Sequence, residues 1–462
     1  WFGVVAGGWR SGWYVSIVFG AALVSTLAGG ANSTPVLLEA FAVERDKNLI
    51  RPWTPPDYSG QEKKIGYKPG SFTVPDSLKE RVQFWIDVYA KYDSNQGILH
   101  DTEDLAIIYG VVSLPTVEAT GLTLREVEKL RSRAVDNERK KIKSHLMFLQ
   151  SWLDEKRPVA ELAPVDQELW KKLCTTGNSH CFRNAVSGDR IRLQLGQKDH
   201  FEKGLYYSGW YIDEIEDIFD EYQLPLELTR LPFVESSFNV MAQSKVGASG
   251  IWQFMRYTAR PYLRIDKYKD ERNDPLKATR AAAKMFRFIY SQIEHWPLAV
   301  TGYNYGPAGI KRLSQKYKTT DLAELIKNAN HSRFGFASQN FYASFLAALE
   351  VEKNADKYYK QPVRSLALSG RPVLLPKAVA WKEILTYFAN DSALAYSYNP
   401  YLTARVRRGT LSIPAGYEIY LPKDKVAMFG KDLKERESPN GQVSRQIASS
   451  SHYTVRKGET LG

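Results

Sequence analysis

The chain has 462 residues, 44% hydrophobic and 25% charged, ordinary globular proportions that exclude wholesale disorder and a multi-span membrane protein. That length is too great for one ordinary domain and implies about three. The net charge of +12 comes from Lys and Arg scattered among Asp and Glu, without a basic block or recognition motif, so no nucleic-acid partner is expected.

Residues 1–31 hold Arg10 and then an uncharged run from Ser11 that leaves through Ala28, Gly29, Gly30 and Ala31. A short charged segment, an apolar centre and a small-residue exit predict a secretory signal, and so an exported protein of the periplasm or cell envelope. The run is also about 20 residues long, enough for an uncleaved anchor that would associate the chain with a membrane. No cysteine lies near it, which argues against a lipid anchor. Residues 32–72 read as a linker, with Pro, Gly, Lys and Tyr crowding 50–72.

A helical lead-in domain is predicted over 73–190. Pro75, Asp76 and Ser77 can open a helix through Val82, Phe84, Trp85, Val88 and Tyr89. Thr123 and Glu126 have capping-box spacing ahead of a long helix through Val127, Leu130, Ile142, Leu146, Leu149 and Leu153. Cys174 and Cys181 are the only cysteines. In an exported chain they predict a disulfide across a short loop, whereas a metal site shared with His180 would crowd its ligands into poor tetrahedral geometry.

Ile212, Ile215, Ile218 and Phe219 follow at helical spacing and lead into the stretch from Leu224 to Met255. There Leu228, Leu231, Phe233 and Val234 form an apolar segment that ends on Glu235, with Pro232 expected to kink or tighten the helix just before it. A carboxyl group at that place is half desolvated, which raises its pKa toward the value a general acid needs near neutrality. The same residues also fit an amphipathic helix with a solvated Glu. Gly247 and Gly250 then bracket a small-residue turn where backbone can approach a ligand closely.

Asp274 and Pro275 predict an N-cap and first turn. The run from Ala299 to Pro307 puts Tyr303 and Asn304 before a Gly306-Pro307 break, where hydroxyl and amide can be aimed into a cleft or simply pack. Residues 361–430 look like a small α+β unit with a turn at Pro414 to Gly416. Residues 431–451 are polar and Ser-rich, a second linker.

Glu235-Ser-Ser-Phe-Asn239, Ser244, Gly247-Ala-Ser-Gly250, Gln253 and Met255 together resemble the catalytic signature of the lytic transglycosylases, and Gly250-Ile-Trp-Gln253 is most similar to the membrane-bound D branch of that family. Tyr303-Asn304 with Gly306-Pro307 resembles the family's second motif. The third motif departs from the pattern: its usual Glu is Ala337 and its usual Tyr is Phe341, with Tyr342 following. Tyr453 to Gly462 resembles the opening of a LysM module, so 452–462 is expected to begin one.

The resemblance implies a mainly α protein, with a lysozyme-like α-helical catalytic domain over 191–360 beside the lead-in domain and the α+β unit. It implies a monomeric enzyme, without metal or other cofactor, that cleaves peptidoglycan glycan strands at the β-1,4 bond between N-acetylmuramic acid and N-acetylglucosamine. Glu235 would serve as acid and then base, closing a 1,6-anhydro ring in place of water, with Ser244, Gln253, Met255, Tyr303, Asn304 and Tyr342 binding substrate. A hydrolytic lysozyme-type muramidase and a non-catalytic peptidoglycan-binding protein are the alternatives.

Overall fold

The computed structural model describes residues 50–174, 178–187, 190–329, 331 and 333–435. The expected signal or anchor at 1–31, the LysM-like end at 452–462 and nearly all of the second linker lie outside these residues. Helices dominate, with short antiparallel sheets between them, so the chain is mainly α as the sequence predicts. Among the described residues no helix is long and apolar enough to cross a membrane.

The chain forms two compact units. The first runs to Leu368 and takes in Asn399–Leu411. It contains, in order, β1 (Ile50–Pro52), α1 (Lys79–Ala90), β2 (Gln96–Asp101), β3 (Ile108–Ser113), α2 (Leu124–Asp154), α3 (Pro164–Leu173), α4 (Cys181–Val186) and β4 (Ile191–Leu195). It continues through α5 (Lys198–Ser208), α6 (Ile212–Glu221), α7 (Leu231–Ser236), α8 (Pro275–Ile293), α9 (Trp296–Tyr305), α10 (Pro307–Tyr317), α11 (Phe336–Lys353) and β5 (Val363–Ser365). The second unit, Ser369–Tyr398 with the chain from Ser412, pairs β6 (Gly370–Leu374) with β7 (Glu418–Pro422) in a two-stranded antiparallel sheet.

Local signals explain several boundaries. Thr123 and Glu126 make the capping box of α2, with the Thr123 N–H donating to the Glu126 carboxylate at 3.0 Å. Asp274 caps α8 by accepting from the N–H groups of Leu276 and Lys277, and Pro275 sits in its first turn, where a missing N–H costs nothing. Cys174 and Cys181 form a disulfide beside α4.

Four expected boundaries are corrected. Residues 50–72 are not an extended linker: β1 pairs with β5, Trp53 is buried, and the Gln61 side chain bonds to both Glu227 and the Leu226 N–H. Phe72 packs edge-on to Phe345, with ring centroids 5.6 Å apart. This segment lacks a helical or strand period because its few large residues reach into the core singly. Nor are 73–190 one separate body. Leu78, Trp85, Tyr89 and Ile98 share a core with Phe233, Trp252 and Phe345, while Leu99, Ile142, Leu146, Trp152, Phe182 and Ile191 form a smaller one under the β3-β2-β4 sheet. The α+β unit correspondingly starts at Ser369 rather than 361, because β5 belongs to the first unit. The second linker also begins late, since a helix runs Val426–Glu435.

A buried ion network ties the start of α7 to the end of α11. Arg230 and Glu352 have fully buried side chains, with the guanidinium Nε donating to the Glu352 carboxylate at 3.0 Å. Arg364 of β5 donates to the other Glu352 oxygen at 2.5 Å, and Arg230 also pairs with Glu216. Removing Glu352 would leave two buried guanidinium groups short of a counter-charge. Glu352→Ala is therefore expected to cost about 3–5 kcal/mol of folding stability by urea denaturation, and a loss below about 1 kcal/mol would contradict this role.

Candidate active site

Glu235 lies in the last turn of α7, a helix of six residues preceded by a tighter turn over Leu226–Arg230. Pro232, expected to kink or tighten the helix, stands in its first turn, where its ring is pre-set for helical φ, just after the tighter turn. The helix stops at once. Ser237 and Phe238 have φ of 50° and 55°, left-handed conformations that non-glycine residues adopt at a cost of about 1 kcal/mol or more each. Their price is offset by packing: Phe238 is buried edge-on to Phe233, and the Ser236 hydroxyl donates to the Ile251 carbonyl at 3.0 Å. The chain turns sharply beside Glu235 and is bolted to the loop that follows.

That loop is rigid for reasons its residues make plain. Gly250 has φ +80°, and a Cβ there would fall 1.8 Å from the Arg272 carbonyl oxygen, so only glycine fits. The buried Arg272 guanidinium, held by Asp270, donates to the carbonyls of Gly247 at 2.6 Å and Phe254 at 3.0 Å, pinning both limbs of the loop. Ser244 accepts from the Ala248 N–H at 2.9 Å. The Gln253 amide donates to the Ala242 and Gly250 carbonyls at 3.1 and 2.8 Å. Both side chains thus shape the loop, while Met255 at its end is 41% exposed.

Tyr303 connects this loop to the second motif. Its hydroxyl donates to the Trp252 carbonyl at 2.8 Å, and its ring stacks on Phe286 with centroids 4.9 Å apart. Asn304, next along α9, is exposed, and its Oδ1 accepts from the Ser338 hydroxyl at 2.8 Å. Ser338 adjoins Ala337, so the helix that lacks the family's usual Glu still supplies a polar partner to the second motif. Tyr342, expected to bind substrate, is corrected: it is 1% exposed and donates to the Ser71 carbonyl at 3.3 Å, because α11 turns that face into the core.

Electrostatics single out Glu235. The half-buried carboxyl makes no hydrogen bond or ion pair with any described residue, and burial alone pushes its pKa up to about 8. Two phenols register its charge. Tyr303 and Tyr89 are both pushed above the ordinary tyrosine range, first by their own burial and then by the Glu235 carboxylate. Tyr89 comes from α1, far from every motif, and no local signal in the sequence marks it. Arg272 and Ser338 were likewise missed, being one cation among many and one Ser in a departing motif.

Comparison with known proteins gives this arrangement a family. The family model described as transglycosylase SLT domain matches residues 219–326, which hold Glu235, the pinned loop and Tyr303-Asn304. Membrane-bound lytic murein transglycosylase D of Escherichia coli (strain K12) is 26% identical over 371 residues, covering 77% of this chain and 77% of that protein. A protein of Alteromonas sp. (strain M-1) described for tributyltin chloride resistance is 31% identical over 153 residues, 32% of this chain and 70% of its own. Among solved structures, the 70 kDa soluble lytic transglycosylase of Escherichia coli aligns at 17% identity and a TM-score of 0.25, spanning 49% of this chain and 36% of that one, too loose an overlap to support any inference. With a transglycosylase SLT domain built around Glu235, the chain belongs to the lytic transglycosylase family.

Proposed function

We propose that the protein cleaves the β-1,4 bond between N-acetylmuramic acid and N-acetylglucosamine in peptidoglycan without consuming water, using Glu235 as the acid and then as the base. The observation that carries this reading is the desolvated Glu235 carboxyl, with no neighbouring charge contributing to its raised pKa. Most glycosidases place two carboxylates across the scissile bond. A single acid fits a reaction whose second nucleophile belongs to the substrate. At neutral pH Glu235 is protonated and gives its proton to the leaving glycosidic oxygen as the C1–O bond breaks, with the substrate's own acetamido oxygen sharing the developing charge at C1. The carboxylate left behind takes the proton of the muramoyl C6 hydroxyl, whose oxygen bonds to C1 and closes the anhydro ring. The net transfer is one proton from O6 to the leaving oxygen, and Glu235 ends as it began.

In this reading Met255 and Asn304 meet the glycan directly, while Ser244, Gln253 and Tyr303 fix the loop backbone against which it lies. The peptidoglycan substrate puts the site of action in the cell envelope, in keeping with the membrane-bound murein transglycosylase among the relatives.

Glu235→Gln is expected to lower turnover of intact peptidoglycan by about 10²–10⁴-fold or more, while co-sedimentation with insoluble peptidoglycan persists. Near-normal release of soluble fragments by that variant would sink the assignment. The pH dependence has a definite sign. The acid must be protonated, so activity is expected to fall as pH rises through about 8; a limb near the ordinary carboxyl value of 4.5 would contradict the buried site.

The same shift links pH to stability. A carboxyl with a raised folded-state pKa favours the fold most fully below its unfolded value, and that contribution is lost as pH rises from 4.5 toward about 8. Glu235→Gln is therefore expected to melt higher than the parent at pH 8 and at the same temperature at pH 4. Equal melting temperatures at pH 8 would mean that the carboxyl is solvated.

A further inference from the structure

We infer that the outward face of α2 is a docking surface for an anionic lipid bilayer, on which the helix lies flat with its cations at the phosphate level and Met147 and Phe148 entering the acyl boundary. This is a second interaction of the chain, independent of the role proposed for Glu235.

α2 is 31 residues long, about 45 Å. Val127, Val135, Ile142, Leu146, Leu149 and Trp152 bury one side of it and so decide which side is left in water. The opposite side carries Lys129, Arg133, Lys140 and Met147, all exposed and spaced by four, seven and seven residues, so that they line one stripe. Lys143 flanks the stripe on one side and Phe148 on the other. Cations that are scattered along the sequence gather here because two helical turns bring every seventh residue back to nearly the same face.

The charges on this face do not cancel. Its acids are committed: Glu126 to the capping box, Asp136 to Arg139 at 3.4 Å and Asp154 to Arg183 at 3.4 Å. Two cations of the helix are committed as well, Lys141 to Glu138 at 3.1 Å and Arg131 to the Pro115 carbonyl at 2.7 Å. Lys129, Arg133, Lys140 and Lys143 make no ion pair or hydrogen bond with any described residue. Directly beyond them Met147 is 39% and Phe148 47% exposed.

Cations and apolar side chains together select the partner. A polyanion such as a peptide-bearing glycan would neutralise the cations and leave Met147 and Phe148 in water. An anionic bilayer takes both. Headgroup phosphates meet the Lys and Arg termini, whose alkyl stems cross the interface, and the acyl boundary takes the thioether and the phenyl ring. No described helix is apolar enough to cross a membrane, and α2 has the two-faced pattern of one that rests on a membrane surface.

The test uses the full chain with Met147→Cys carrying a polarity-sensitive fluorophore. The native cysteines are joined to each other, so the new thiol alone reacts. The expected result is a blue shift on adding vesicles of equal parts phosphatidylglycerol and phosphatidylcholine, abolished by high salt and absent with phosphatidylcholine alone. The same label at Ser291→Cys, exposed on α8, is expected not to shift. Adding Lys129→Gln, Arg133→Gln and Lys140→Gln is expected to raise the lipid concentration at half shift about a hundredfold, about fivefold per cation. Arg312→Gln, Lys318→Gln and Lys327→Gln remove the same charge from exposed positions elsewhere and are expected to raise it less than about threefold. No blue shift at position 147 with anionic vesicles, an equal shift at 291, or an equal change in the two triple variants overturns the inference. A shift at 147 produced by purified peptidoglycan and not by vesicles also overturns it, and gives the face to the polymer.

Discussion

A half-buried carboxyl group, with no cation and no hydrogen bond among the described residues to ease its charge, is the constraint on which the rest of this structure depends. Such a group destabilises the fold at neutral pH unless it keeps its proton, and keeping it makes the group an acid. Its surroundings must keep their shape. The short α7 helix, the two left-handed residues after Glu235 and the loop pinned by Arg272 meet that need, since each fixes backbone beside the acid.

Strain of this kind needs a stiff surround. The Arg230–Glu352–Arg364 network fixes the chain just ahead of α7 to α11 and β5, and β5 in turn holds β1. A buried ion network is weak evidence of stability in itself, because desolvation opposes the attraction. Its service here is geometric: it sets where α7 begins. The aromatic column from Tyr89 through Phe201 to Phe233 does the same from the side of α1.

What could be read from the sequence was local. Glu235 at the end of an apolar run, the glycine turn, the caps at Thr123 and Asp274, and Tyr303-Asn304 before Gly-Pro are patterns within a few residues of one another. What could not be read was the pairing of distant pieces. Gln61 meets Glu227 and Ser338 holds Asn304 across separations no period encodes. The 50–72 stretch looked like a linker because its contacts are single side chains rather than a face. Pro232 reads as a kink because nothing local marks the helix start at Leu231, one residue earlier, just after the buried Arg230. Tyr342 reads as a cleft residue because the sequence does not tell which side of α11 faces the core.

The central claim is that one buried carboxyl serves both steps and water serves neither. Digestion of peptidoglycan in heavy-oxygen water, followed by mass spectrometry of the released fragments, tests it most directly. The expected products carry anhydro-muramoyl ends and no heavy oxygen; reducing ends labelled with heavy oxygen would contradict the claim and make the enzyme a hydrolase.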